Sequence, residues 1–288
     1  MSRRTRSVGG MALIAVLWIV AALSVLVIGM TKTVRQQIRV ASTLQEEVSG
    51  QAIGEAAIVL ALQAMQTRTE PMRASTRAPV TFGGIEVEVE AMPLDGLISL
   101  NGASVPLLAT LLQNAGGLDA GRAQALAQVM VEWRDQRPAV DPTAPGGANV
   151  SARRFEAVED LLLVPGVEYP LYARLRNLVT ADMTGGERVN PMAAPADVLG
   201  VLAGGNAAVV DRILGSRGTN QPGVDTSGLN AAFTGGGGGD HYRLIARVPL
   251  GTGKILLLTR DVALGAGYSR TAPWRILGGD RQIIVSGA

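Results

Sequence analysis

At 288 residues the chain is long enough for one large domain or two modest ones once a membrane segment is set aside, and its 47% apolar content supports a buried core built on Leu, Val, Ile and Ala, since aromatics are only 3%. A formal charge of +2, with arginines clustered in the first six residues and scattered elsewhere, implies no basic face for nucleic acid. The absence of cysteine excludes disulfides, thiolate catalysis and Cys-based metal sites, and the single histidine, His241, excludes His-rich metal sites and leaves any Ser/His/Asp hydrolase dependent on that one residue.

Residues 1–10, MSRRTRSVGG, carry a compact positive cluster at Arg3, Arg4 and Arg6. The next twenty residues, 11–30, contain no ionisable side chain. At about 1.5 Å per residue they span roughly 30 Å, the thickness of a bilayer's hydrocarbon core. The arginines before them should stay cytoplasmic, which places the rest of the chain on the far side of that membrane. Three readings compete: an uncleaved anchor, a removed secretory signal, and a short basic leader cut before the apolar stretch. The stretch is long for a secretory signal, and Gly29-Met30-Thr31-Lys32 is a poor cleavage site. A leader fits best, because Gly10 directly precedes Met11 and the helical pattern continues past the membrane without a break.

Residues 32–65 place Val34, Ile38, Ala41, Val48, Ala52, Val59 and Leu62 mostly at spacings of three, four and seven, one face of a helix. No proline interrupts 11–65, so a single helix of about 55 residues, roughly 80 Å long, is expected. Gly50 and Gly54 read as weak points, each costing ~1 kcal/mol against alanine. Gln45, Glu46 and Glu47 read as a solvated face.

A polar loop with Pro71 and Pro79 follows, and 80–92 then alternates Val80, Phe82, Ile85, Val87 and Val89 with Glu86, Glu88 and Glu90, a half-exposed strand or hairpin. From Asp95 to about Gly218 the pattern is helical. Helices are expected at 107–112, at 120–133 behind a cap at Asp119, near Glu156, and at 171–178, 197–203 and 207–214, with a Pro/Gly-rich loop over 137–149. Residues 220–240 read as loop, with the glycine run 235–239 flexible and without side chains to pack. Strands are expected at 242–250 and 254–264, joined by a turn at 251–253, with a short strand at 274–277 before a polar tail. His241, at a strand start, reads as a surface residue, and Gly251-Thr252-Gly253-Lys254 as a hairpin turn rather than a phosphate loop.

Two helical hairpins, LLLVPGVEYPLYARL and DVLGVLAGGNAAVVDRIL, are similar to the helix–hairpin–helix of DNA-binding proteins. The first carries Glu168 where an anion would approach, and the second lacks the proline, so protein packing is the expected role.

The basic leader ending in glycine, the apolar start and the long helix resemble the pilin family, whose members are cut after a glycine by a prepilin peptidase and N-methylated. Counted from Met11, the fifth residue is Ala15, where most pilins have glutamate. The K-type minor pseudopilins of type II secretion systems lack that glutamate, and GMALIAVLWIVAALSVL is similar to their start. LDGLISLN (94–101), VEWRDQRP (131–138), FEAVEDLLLVPGV (155–167) and RVNPMAAPADVL (188–199) extend the resemblance over most of the chain.

The resemblance implies an α+β fold: a pilin fold, with the long N-terminal helix packed on a small antiparallel sheet, plus a large inserted all-α domain. It implies a leader at 1–10, a transmembrane part at 11–31, periplasmic helix and first strands at 32–93, an inserted domain of sterile-alpha-motif or helix–hairpin–helix type at 94–219, and remaining strands, glycine-rich loop and tail at 220–288. It further implies processing at Gly10 and Met11, with Ala15 as an assembly position. The implied role is structural rather than enzymatic: capping the tip of the periplasmic pseudopilus and helping to start or regulate its assembly for protein export. Implied partners are the I- and J-type minor pseudopilins, the major pseudopilin, prepilin peptidase and the inner-membrane assembly platform, for a single-pass inner-membrane protein with its head in the periplasm. Related K-type proteins carry metal near the segment matching 131–149. Calcium is therefore the implied cofactor, with oxygens from Asp135, Asp141 and Asn149 and a further candidate at Glu132, against the alternative of a solvated loop. The competing function is a membrane-anchored DNA-binding protein of a competence or uptake system that uses the two hairpins. A third is an envelope enzyme on a membrane stalk.

Overall fold

The computed structural model describes residues 9–68, 72–135, 154–182, 186–217, 224–237, 239–251, 253–265 and 272–285, and in the first helix the side chains of 13–24 and 40–66. That helix, α1 (Gly9–Gln66), runs 58 residues without a break, ~87 Å at the usual rise. All side chains from Leu13 to Ser24 are exposed, Trp18 and Ile19 among them. A helix apolar on all sides with no protein around it suits hydrocarbon, not water. The stretch Val40–Gln66 is also apolar enough to cross a membrane. One face of its far half, however, is covered by protein, which gives that apolar content a different use.

The cover is a five-stranded antiparallel sheet of β1 (Thr76–Phe82), β2 (Ile85–Pro93), β5 (His241–Leu250), β6 (Lys254–Leu264) and β7 (Trp274–Val285), in the order β1-β2-β5-β6-β7. The expected alternating segment is thus a hairpin, turned at Gly83 and Gly84 with φ of 59° and 80°, a conformation glycine adopts without a Cβ clash. Ala57, Ile58 and Leu62 of α1 are buried against Val87, Val89, Leu244, Val248, Leu256 and Leu258.

The face of α1 on the sheet differs from the expected one. Gly50, Gly54, Ala57, Ile58 and Leu62 are buried, whereas Ala41, Val48, Ala52 and Val59 are exposed, so only Leu62 of the described residues on the expected stripe faces the sheet. The two glycines explain the choice. A Cβ on Gly54 would lie 3.0 Å from Leu258 Cδ2 and 3.1 Å from Val248 Cγ2, and one on Gly50 2.6 Å from Leu250 Cδ2. They are places where the helix backbone comes down onto the strands, and large apolar residues would have held it off. A hydrophobic period cannot register a contact made by residues without side chains.

The chain leaves the sheet after β2 and returns at its neighbour β5, so everything between is inserted between adjacent strands and leaves the sheet's hydrogen bonding intact. The intervening elements are a 3-10 turn (Leu94–Gly96), β3 (Ile98–Ser99), α2 (Val105–Asn114), α3 (Ala120–Asp135), a 3-10 helix (Val158–Leu163), α4 (Tyr169–Leu175), β4 (Val179–Thr180), α5 (Ala196–Leu202) and α6 (Ala207–Arg217). Asp119 caps α3, its Oδ1 accepting from the Arg122 amide at 3.0 Å. These helices share one core, in which Leu107, Leu111, Met130, Phe155, Leu161 and Leu199 are all but fully buried.

Several expectations change. The segment near Glu156 is a 3-10 helix, and residues 179–180, just beyond the helix expected at 171–178, form a parallel strand pair with β3. The last strand runs on through the expected polar tail to Val285, since β6 offers it eleven residues to pair with. His241 is buried, 7% exposed.

Candidate functional site

Two regions stand out: the uncovered side of α1, and the joint between the sheet and the helical insert. On α1, Val40, Leu44 and Val48 follow one another at intervals of four and are exposed, and Val59 and Leu60 are partly exposed further along. Together with Ala41 and Ala52 they make an apolar surface that the sheet leaves uncovered. Ala15 is exposed within the bare apolar stretch; Gly10 and Met11 lie at the start of the same helix.

The opposite face of the sheet is charged. Arg243 donates to both carboxylate oxygens of Asp261, at 2.7 and 2.8 Å, directly across from it in register. Arg247 bonds Glu88 at 2.8 Å and Glu90 at 3.2 Å, and Glu90 also accepts from Arg77 at 3.1 Å and from Ser75 at 3.0 Å. Burial works against ionisation of Glu90, but the Ser75 hydrogen bond and the charges of Arg77 and Arg247 prevail and hold its carboxyl below its ordinary 4.5. This face is a ladder of cross-strand pairs, an arrangement that suits water.

The joint is held by side-chain amides. Asn190 is 3% exposed and uses its whole amide group. Its Nδ2 donates to Asp95 Oδ1 at 3.1 Å and to the Arg73 carbonyl at 3.0 Å, and its Oδ1 accepts from the Met192 amide at 3.0 Å. Its backbone amide donates to the Asp95 carbonyl at 2.7 Å. The segment 233–237 lies over this knot: Val189 and Thr234 form a parallel bridge, and the Gly235 amide donates to the Val189 carbonyl at 3.0 Å. A Cβ on Gly237 would overlap the Asp95 carboxylate and the Asn190 amide. The glycine run thus serves close approach at Gly237, correcting the expectation of a loop with nothing to pack.

Asn101 does the same work deeper in the insert. Its Nδ2 donates to the carbonyls of Phe155 and Ala181, each at 2.9 Å, and its Oδ1 accepts from the Phe155 amide at 2.9 Å. The Phe155 ring stacks on Trp133, centroids 4.5 Å apart, and Arg134 Nη1 donates to the carbonyls of Leu100 and Ala103. The four separate tracts 94–101, 131–138, 155–167 and 188–199 therefore meet, through Asp95–Asn190, Asn101–Phe155, Trp133–Phe155 and Arg134–Leu100. Asn101 and Asn190 could have been singled out in the sequence as amides set between apolar runs.

His241 bridges the two parts. Its Nδ1 lies 2.6 Å from Asp182 Oδ2, and both side chains are under a tenth exposed. The Asp182 hydrogen bond raises the imidazole above its ordinary 6.5; burial works against this, and the charges of Asp182 and Asp240 reinforce it. A second tie joins Arg176, beyond α4, to Asp280 of β7.

Of the implied calcium oxygens, Asp135 ends α3, is exposed, and accepts from Arg134 Nε at 3.0 Å, a cation already in place. Asp141 and Asn149 lie outside the described residues. Among the described residues no group of three or more His, Asp or Glu is placed to hold a metal.

The hairpins offer little to a phosphate backbone. Exposed Glu156, Glu159 and Glu168 surround the first, and the Leu171 and Tyr172 amides already donate to the Glu168 carbonyl. The second borders a cleft of about 510 Å³ that Asp197 and Asp211 line together with Arg174, Asn114 and Asn177. Among the described residues no hydroxyl, histidine or lysine lines that cleft.

No protein-family model and no curated protein matches the chain. Among solved structures it is similar to a chain in the crystal structure of the GspK-GspI-GspJ complex from the enterotoxigenic Escherichia coli type 2 secretion system. The TM-score is 0.50 at 15% sequence identity, and the match covers 86% of this chain and 98% of that one. At that identity, what the two chains share is the fold: an N-terminal helix, further helices and an antiparallel sheet.

Proposed function

We propose that this chain is a K-type minor pseudopilin of a type II secretion system, a structural subunit that assembles with other minor pseudopilins. The observation that carries the reading is one helix with two environments. Residues 13–24 are apolar and bare, and the same helix continues unbroken until Gly50, Gly54, Ala57, Ile58 and Leu62 are buried on a sheet. A soluble fold has no use for the first half, and a simple membrane anchor has no use for the continuity. A subunit that stands in lipid and is built into a fibre by its helix uses both. The fold shared with a chain of the GspK-GspI-GspJ complex supports it.

On this reading the chain is cut between Gly10 and Met11, and Met11 is methylated. The exposed stripe of Val40, Leu44 and Val48 packs against the helices of I- and J-type subunits. Ala15 places no carboxylate in hydrocarbon, where a charge without a partner is costly. The helical insert, attached at β2 and β5, widens this subunit relative to a fibre made of sheet and helix alone, which suits the tip and not the shaft. Localisation in the inner membrane, with the sheet and insert in the periplasm, follows from the arginines ahead of Met11.

Mass spectrometry of the chain's amino terminus, taken from membranes of cells with an intact prepilin peptidase, tests the reading. The expected product begins at N-methylated Met11. An intact Met1, or a cut beyond Thr31, would overturn it.

A further inference from the structure

The joint between the sheet and the helical insert carries a titratable group whose surroundings favour one of its protonation states. His241 opens β5, where the chain re-enters the sheet, and Asp182 follows β4, inside the insert, 59 residues earlier. One ring nitrogen, Nδ1, is 2.6 Å from Asp182 Oδ2, and the other, Nε2, is 3.7 Å from Asp240 Oδ1. An imidazole with a carboxylate at each nitrogen can present N–H to both only as imidazolium, because the neutral ring has one donor and one lone pair. When the proton leaves Nε2 to water, Asp240 faces a lone pair and the hydrogen bond to Asp182, 6% exposed, falls from one donated by a cation to one donated by a neutral ring.

Of the other described charges near the joint, Arg68 acts on Tyr242, the next residue of β5, where Asp240 and Asp95 act as well. Arg243, two residues along the strand, is held bidentately by Asp261 of β6. Arg275 of β7 lies in register beyond Ala263, one strand further from His241. Asp95, in the turn after β2, adds a further negative charge near the joint, held to Asn190.

We propose that His241, between Asp182 and Asp240, is a pH-set latch that locks the helical insert onto the sheet while the imidazole is protonated and loosens the joint when it is not. The contact spans the place where the insert meets the sheet, so weakening it loosens the joint without unfolding either part; the Asn190 knot and the Arg176–Asp280 pair still tie the two together. The latch stands on the joint's geometry and does not depend on the secretion reading.

The direction in pH follows from the sign of the shift. A basic group raised by the fold stabilises fully below its unfolded value, here about 6.5, and that contribution is lost as pH climbs through the native midpoint. Because His241 is the chain's single histidine, its imidazole gives one resonance in histidine-labelled full-length protein in detergent micelles. Its titration midpoint is expected above 6.5, brought to 6.5 or below by Asp182→Asn and lowered less by Asp240→Asn. Amide-exchange protection factors at 179–182 and 240–243, corrected for the intrinsic rate, should fall as pH rises through that midpoint. The fall is at most about tenfold per pH unit for one proton, and His241→Asn should flatten it. A wild-type midpoint at or below 6.5, or wild-type protection that stays flat across it, overturns the latch; neither result requires a variant to fold, and neither bears on the N-terminal processing.

Discussion

Leucine in place of Gly54 should destabilise the helix–sheet unit by about 3 kcal/mol, at the upper end of what overpacking costs. The sign is not obvious from the helix alone. In an isolated helix, replacing glycine by leucine gains nearly 1 kcal/mol, because the backbone has less freedom to lose. In this fold the space is taken. Even a Cβ would touch Leu258 at 3.0 Å and Val248 at 3.1 Å, and both of those side chains are fully buried and cannot swing aside into solvent. Three more carbons must lift the helix from the strands. Alanine at the same place marks the crossover: its propensity gain and its contact cost are each of order 1 kcal/mol, so the net change is small. Urea or thermal unfolding of the full chain in micelles, followed by a probe in the sheet, measures both variants. If Gly54→Leu proves stabilising, α1 does not rest on the sheet at this position.

Phe155→Ala should cost the helical insert about 3–5 kcal/mol, the range for truncating a buried phenylalanine. Phe155 is 1% exposed, its ring stacks on Trp133, and its backbone amide and carbonyl are both held by Asn101. Truncation leaves a cavity where the tracts 94–101, 131–138 and 155–167 converge and removes the stack, a contact between aromatic rings worth about 0.5–1.5 kcal/mol more. The loss should localise. Exchange protection should fall at Ile98–Ser99 and Val179–Thr180, the strand pair beside Asn101, while β5 and β6 keep theirs. Asn101→Ala should be non-additive with it, because the two residues share the same hydrogen bonds. A loss under 1 kcal/mol would mean that the ring is not part of the core.

The sequence alone determined what depends on neighbours a few residues apart. An uninterrupted helix from the apolar start to residue 66, the hairpin of β1 and β2, the cap at Asp119 and the paired strands β5 and β6 all follow from local rules: no proline to break a helical run, alternation along a strand, a side-chain oxygen ahead of a helix, glycine at a turn. The tertiary structure decided whatever depends on residues brought together from far apart. It chose the glycine face of α1 over the Val48–Ala52–Val59 face, because backbone approach, not side-chain area, sets how closely a helix meets a sheet. It drew β7 out to Val285 along an available edge, paired β3 with β4 across 81 residues, and turned a lone histidine from a surface residue into a buried hydrogen-bond partner of a carboxylate 59 residues away. Such partners leave no periodicity in the chain: hydrogen bonds and charges act over a few ångströms of space, and only the folded backbone fixes which residues come within that distance.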